Sequence, residues 1–421
     1  MNKFILNFFS LFFLSTSVVF TSCSDDDDDP ASQKVNVRFE AAVATNGIID
    51  TKNLEGMTVT FTEVRNSNAT SSKLDASGIA EVALFKGTYD VSIEETAQED
   101  GEEIVVALRI ENISVNTEGQ KIEGEVFSAP KQTIGQNFIF SEIFFNGETN
   151  SGKMMHPDQY IVIYNPTVET LYADGLCIAT TEQRANSNKE MWYDEYYGKN
   201  LLPLGGFITI PGSGKEHAIA PGEKLVFAMT AVDHSKEEGY DHAVDLTGAD
   251  WELYYGPETN DTDNAEVPNV LLTNPTDGSG FTLFPRGFWS PVMFKLENGM
   301  PETISAFVKE NTSRTKRFIP ADEEEGTPEA IIEIDILSIK NEKIIDGVQT
   351  GDERFGIITR VVPTSIDRGK FIVSGCHRQE LAIRKTVEVN GKTFYKDTNN
   401  SDDDFVMQKG QNSFPKGWRN K

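Results

Sequence analysis

From residue 34 onward the chain repeats short runs with an apolar period of two, and over the first part, residues 34–128, no stretch holds the helical period of 3.6 well. Val35-Asn36-Val37-Arg38-Phe39 alternates, Met57-Thr58-Val59-Thr60-Phe61-Thr62 alternates with β-branched residues, and Glu329–Ile339 alternates again. Side chains two apart share one face of a strand, so each run can give one face to a core and the other to water. Asp75-Ala76-Ser77-Gly78, Lys86-Gly87, Asn165-Pro166, Asp174-Gly175 and Pro221-Gly222 punctuate the runs with turn residues. The best helical candidate is short, around Ser187–Tyr196. No repeat of solenoid or propeller length occurs. The expected fold is all-β, and 421 residues leave room for about two to four domains.

Charge narrows the function. There are 66 acidic and 38 basic side chains, a net of -28. Nucleic acid needs its phosphates neutralised by Lys and Arg, so a nucleic-acid partner is excluded. Three Cys and five His exclude a cysteine-rich zinc or disulfide framework.

The N-terminus reads as an address. In residues 1–22 the single charge of Lys3 precedes an apolar stretch broken by Asn7, Ser10 and Ser15. A secretory signal fits this better than a spanning helix. Thr21-Ser22-Cys23 resembles the lipobox of bacterial lipoproteins, which implies lipidation of Cys23 after cleavage. Residues 23–33 hold five consecutive aspartates, Asp25–Asp29, whose repulsion extends them as a tether. An acidic run just after such a Cys resembles the surface-export signal of Bacteroidota lipoproteins. It implies a lipid anchor in the outer membrane, facing the medium. The alternative is a solvated spacer on a periplasm-facing protein.

Two resemblances cover the body. Residues 34–129, with Ser77-Gly78-Ile79-Ala80 and Gly87-Thr88-Tyr89-Asp90-Val91, look like a carboxypeptidase-regulatory or transthyretin/Ig-like β-sandwich. Residues 134–421 carry Ser141-Glu142-Ile143, then Tyr160-Ile161-Val162-Ile163-Tyr164-Asn165-Pro166, then Asp397-Thr398-Asn399-Asn400-Ser401 and Asp404-Phe405. These resemble the opening and closing segments of a lamin-tail domain. Val162 stands where that pattern has Glu, and Leu176-Cys177 replaces its aromatic. The whole resembles an uncharacterised Bacteroidota surface lipoprotein family with a domain of unknown function. Its members often accompany TonB-dependent transporters, which implies capture of a nutrient or metal.

Few strings carry chemistry. Gly212-Ser213-Gly214-Lys215 lacks the first Gly of a phosphate loop, and Glu216 would repel phosphate, so it reads as a turn. No nucleophile elbow, His-Glu-x-x-His or Cys-x-x-Cys is present. Met154, Met155 and His156 are soft donors that would suit copper; the alternative is a loop covering an apolar edge. Iron is the other nutrient metal the resemblance allows. The acidic loops 260–264 and 401–404 could take calcium, but neither has the EF-hand register. Trp192, Tyr193, Tyr196 and Tyr197 make either a stacking platform for a ligand or an inserted loop packed on the sandwich. Cys177 and Cys376 are free thiols or, as export permits, a disulfide. The sequence therefore points to a non-enzymatic binding accessory, possible partner of a TonB-dependent transporter. An adhesion or scaffold protein is the alternative, and a hydrolase comes last.

Overall fold

The computed structural model describes residues 33–148, 158–259, 261–275, 277–321 and 328–420. Contacts divide the chain into two compact units. One takes the residues up to Ile134 together with Val387–Phe394; the other takes Gly135–Thr386 and Tyr395–Lys421.

The first unit holds β1 (Lys34–Val43), β2 (Thr58–Glu63), β3 (Ala69–Lys73), β4 (Ile79–Phe85), β5 (Gly87–Glu99), β6 (Glu102–Val115) and β7 (Gln120–Pro130). They form one sheet in the order β3-β2-β5-β6-β7-β1-β4. β1 runs parallel to β7 and antiparallel to β4. The sheet folds over at β6 and β7, which pair only through Ile104–Ala107 and Phe127–Pro130. Its two halves then bury their alternate residues against each other. Phe39 of β1 meets Phe61 of β2 edge-on at 6.0 Å, and Ala80, Val82 and Leu84 of β4 point inward while Glu81 and Phe85 face water. Asp100 and Gly101 supply the positive φ angles of the turn between β5 and β6, a two-residue hairpin loop.

The second unit begins with β8 (Ile139–Phe144), β9 (Tyr160–Tyr164), β10 (Leu171–Tyr172), β11 (Leu176–Thr181), α1 (Tyr193–Gly198), β12 (Leu201–Thr209), β13 (Ala218–Ile219) and β14 (Lys224–Ala228). It continues with β15 (Trp251–Glu252), β16 (Leu271–Thr273), β17 (Pro291–Lys295), α2 (Pro301–Asn311), β18 (Thr312–Ile319), β19 (Ala330–Lys340) and β20 (Ile344–Gly347). It ends with β21 (Thr350–Asp352), β22 (Phe371–Val373), β23 (Glu380–Arg384), the hairpin β24 (Thr386–Val389) and β25 (Lys392–Tyr395), α3 (Ser401–Asp404) and β26 (Phe405–Lys409). Two sheets dominate, ordered β15-β14-β9-β8-β23-β26 and β18-β19-β12-β11-β17-β20. Ile161, Ile163, Leu225 and Phe227 of the first pack with Ile178, Ile208 and Met293 of the second.

Both sheets are also covered on their outer faces. Tyr160, Val162 and Val226 meet Leu246 and Phe414, while Phe207 and Phe294 meet Phe307 of α2 at 6.0 and 5.2 Å. That is why β9 and β11 are buried at every position and do not alternate. Helix α2 starts with Pro301 at its first turn and lays Ile304, Phe307 and Val308 on this core. The sequence reading did not find it. The expected helix near Ser187–Tyr196 overlaps the short α1.

The hairpin of β24 and β25 is a second departure, because most of it belongs to the first unit and not to a domain running unbroken from 134 to 421. Phe394 packs on Phe127 at 6.4 Å, and Asn390 donates to Glu99 at 3.0 Å. The segment 397–404 does structural work in the second unit. The Asp404 carboxylate accepts Thr398 N, Thr398 Oγ1 and Asn400 N. Arg384, 1% exposed, donates to Phe140 O at 2.7 Å and pairs with Asp346, Asp397 and Asp404.

Candidate functional site

Three loops of the second unit are tied together at β21. Thr350 Oγ1 donates to Gly287 O at 2.8 Å, and Thr350 N to Ser290 Oγ at 2.9 Å. Gly287 has φ +61, and a Cβ there would stand 3.0 Å from Gly351 N and from Thr350, so the 284–290 loop needs glycine to lie this close. Asn186 donates to Asp352 O and Ile357 O and accepts Asp352 N. Ala185 N donates to Phe288 O, and Thr359 N to Ala185 O. Residues 184–187, 284–290 and 353–359 are thereby fixed beside one another.

What they display is aromatic and cationic. Phe284 stacks on Phe288 at 5.1 Å and meets Trp289 edge-on at 5.2 Å. Phe355 stands edge-on to Phe288 at 5.0 Å. Arg184 lies 4.8 Å over the Trp289 ring and Arg286 5.2 Å over Phe355. Arg286 and Arg354 both pair with the buried Asp352, at 2.9 and 3.3 Å. Burial alone would raise the Asp352 pKa; hydrogen bonds from Arg354 and Arg286 outweigh it and hold the carboxyl below its ordinary range. Phe355 and Ile357 remain 46% and 48% exposed. Three guanidinium groups and an exposed ring in so acidic a chain form the kind of surface from which binding hot spots are built.

The half-buried Cys376 is next to this cluster. Burial raises its pKa despite Arg286 and Arg354, so the thiol stays protonated. Cys177 is buried, its pKa is pushed up to about 12 by burial, and it lies 3.3 Å from Thr209 Oγ1. Both thiols are free.

The four aromatics singled out in the sequence are packing residues. Trp192, Tyr193 and Tyr196 are buried with Ile334 and Ile336 of β19, and Tyr197 is packed against them. Tyr193 stacks on Tyr197 at 4.1 Å, and Tyr197 OH donates to Val361 O at 2.7 Å. Met154, Met155, His156 and Cys23 lie outside the described residues. In the acidic loops, Asp261 accepts Tyr255 N and Thr262 N, and Asp404 is occupied as described. The sequence reading passed over Phe284, Arg286, Phe288 and Trp289. Four aromatics in the nine residues Phe281–Trp289 around Pro285-Arg286-Gly287 were the available signal.

Residues 220–412 match the model of a family described as a protein of unknown function, DUF4876. A DUF4876 family protein from Bacteroides thetaiotaomicron VPI-5482, solved at 2.50 Å, is 19% identical with a TM-score of 0.54. The match covers 92% of this chain and 97% of that one, and it shows a shared fold. Weaker likenesses are a candidate adhesin from Bacteroides ovatus ATCC 8483 and a DUF3823 family protein from Parabacteroides merdae ATCC 43184. They are 12% and 9% identical, cover 40% and 44% of this chain and 60% and 94% of theirs, and have TM-scores of 0.19 and 0.17. No curated protein matches the chain. Over residues 220–412 the chain is thus similar to the DUF4876 family, a family of unknown function, and its fold is all-β.

Proposed function

We propose that this protein is a non-catalytic binding accessory, lipid-anchored at Cys23 and facing outward from the outer membrane, that docks on a TonB-dependent transporter. The reading rests on the exposed Phe355 and Arg184 and on the half-buried Phe288, Trp289 and Arg286 packed with them. Large rigid rings with guanidinium groups above them lose little side-chain entropy when a partner covers them. The loops that carry them are held by buried hydrogen bonds, so the surface is pre-organised. The Asp25–Asp29 run after the anchor gives reach, and a multiply acylated Cys holds without a spanning helix.

The test is affinity purification from the native outer membrane, with Phe355→Ala and Arg184→Ala beside the wild type. Both side chains are at the surface, so the variants should fold as the wild type does. The expected result is a stoichiometric transporter with the wild type and its loss with both variants. A transporter retained by both variants, or none with the wild type, defeats the proposal. Recovery of a host or neighbouring-cell surface molecule instead makes adhesion the function.

A further inference from the structure

We propose that Asp174, Glu216 and His217 form a binding site for a divalent transition ion, open to water on one side. Their ligand atoms already lie within 4.8 Å of one another. The two-stranded ladder of β10 and β13 explains how. It pairs Leu171 with Ile219 and Tyr172 with Ala218, and Ala173 N continues it by donating to His217 O at 2.8 Å. The next step of that register sets Asp174 opposite Glu216; His217 precedes the first residue of β13, and its ligand atom lies within 4.8 Å of both carboxylates.

The two carboxylates accept hydrogen bonds that orient them, as metal ligands generally do. Asp174 Oδ1 accepts Gly214 N and Glu216 N at 3.2 and 3.0 Å, and Oδ2 accepts His217 N at 2.9 Å. The His217 ring is set edge-on against Trp251 at 4.9 Å. Ser213 Oγ donates to Glu216 at 2.6 Å. Lys295 donates to the main-chain carbonyls of Tyr172 and Asp174, and its charge also acts on the Asp174 carboxylate.

The donor set selects the ion. One imidazole and two carboxylates suit zinc, manganese or iron(II), whereas calcium asks for six to eight oxygens and copper(I) prefers sulfur. Zinc bonds of roughly 2.0–2.2 Å require the donors to draw closer. Glu216 is exposed and can swing in, while Asp174 and His217 are held. Water fills the remaining positions.

Zinc is the probe. The full chain, stripped with a chelator, is titrated by calorimetry beside His217→Ala and Glu216→Gln, with His156→Ala to separate any site near Met154. One zinc per chain is expected, weakened at least ~10-fold by each of the first two changes and unaffected by the third. Glu216→Gln should keep the metal-free melting temperature, because its side chain is at the surface. Binding that is unchanged in both ligand variants, or no saturable binding at millimolar zinc, overturns the site.

Discussion

The two units solve the same problem, a β-sandwich core, with different materials. In the first, buried polar residues are confined to Ser128 and Thr133 among the described residues; in the second, Glu142, Asn146, Asp158, Gln159, Glu252, Asp346, Asp352, Asp367, Arg384 and Asp404 all lie inside. The first unit is held mainly by apolar area, at about 25 cal/mol per Å², and its outer faces stay wet. The second covers both faces of its sheets, so loops cross its interior and their main-chain groups must find partners there. Asn146 shows the arrangement: its side chain donates to Pro285 O and Gly375 O and accepts Arg378 N. Apolar burial tolerates exchange of one large side chain for another. A buried polar network does not, because removing one member strands the rest.

The largest expected effect follows from that contrast. Arg384→Ala leaves Asp346 and Asp404 buried without their cation, which should cost about 3–5 kcal/mol. All four tryptophans, Trp192, Trp251, Trp289 and Trp418, belong to the second unit, so tryptophan fluorescence in urea follows that unit alone. The variant should unfold at markedly lower urea by fluorescence, while hydrogen exchange in β1 to β7 stays as in the wild type. Loss of protection in both units would mean that they do not stand apart in stability.

The units should also differ in their response to pH. Burial raises Asp158 and Glu252 to about 7, from ordinary values near 4. An acid with a higher pKa folded than unfolded binds its proton more tightly in the native state. Its contribution is therefore fully present below about pH 4 and is lost as pH rises through about 7, at up to about 1.4 kcal/mol per pH unit for each group. His234, whose pKa burial lowers, opposes this as a single group. The tryptophan-monitored melting temperature should thus fall from pH 5 to pH 8, and Asp158→Asn should flatten the fall. No carboxylate is buried in the first unit among the described residues, so its exchange protection should hardly move. A melting temperature that rises over this range would reverse the sign assigned to Asp158 and Glu252.

The same contrast explains what the sequence disclosed. Strands with one wet face announce themselves: β4 is buried at every second residue, and its run alternates. β9, Tyr160-Ile161-Val162-Ile163-Tyr164, is apolar throughout because it has no wet face, so it was found through family resemblance and not through period. Helix α2 was missed because Ile304, Phe307 and Val308 are a short helical signal within a long loop-rich segment. The loop cluster at Trp289 was illegible for another reason. Arg184, Arg286 and Phe355 come from three distant segments, and only the fold brings them together. The Trp192 group was legible as a cluster, but whether its rings face water or Ile334 and Ile336 depends on a strand more than 130 residues away.

The smallest effect tests where the units divide. Asn390 and Gly391, with φ +50 and +72, form the turn between β24 and β25, a pairing that suits a two-residue hairpin loop. A Cβ on Gly391 would meet nothing within 4 Å. Gly391→Ala therefore changes only the cost of a left-handed backbone, about 1 kcal/mol. Because Val387–Phe394 belongs to the first unit, that cost should appear as faster exchange in β5 and β7, where Glu99 and Phe127 meet the hairpin. The tryptophan transition of the second unit should stay in place, although both strands of the hairpin are flanked in sequence by that unit. If the fluorescence midpoint shifts and β7 does not respond, the hairpin draws its stability from the second unit, and the division rests on position in the chain after all.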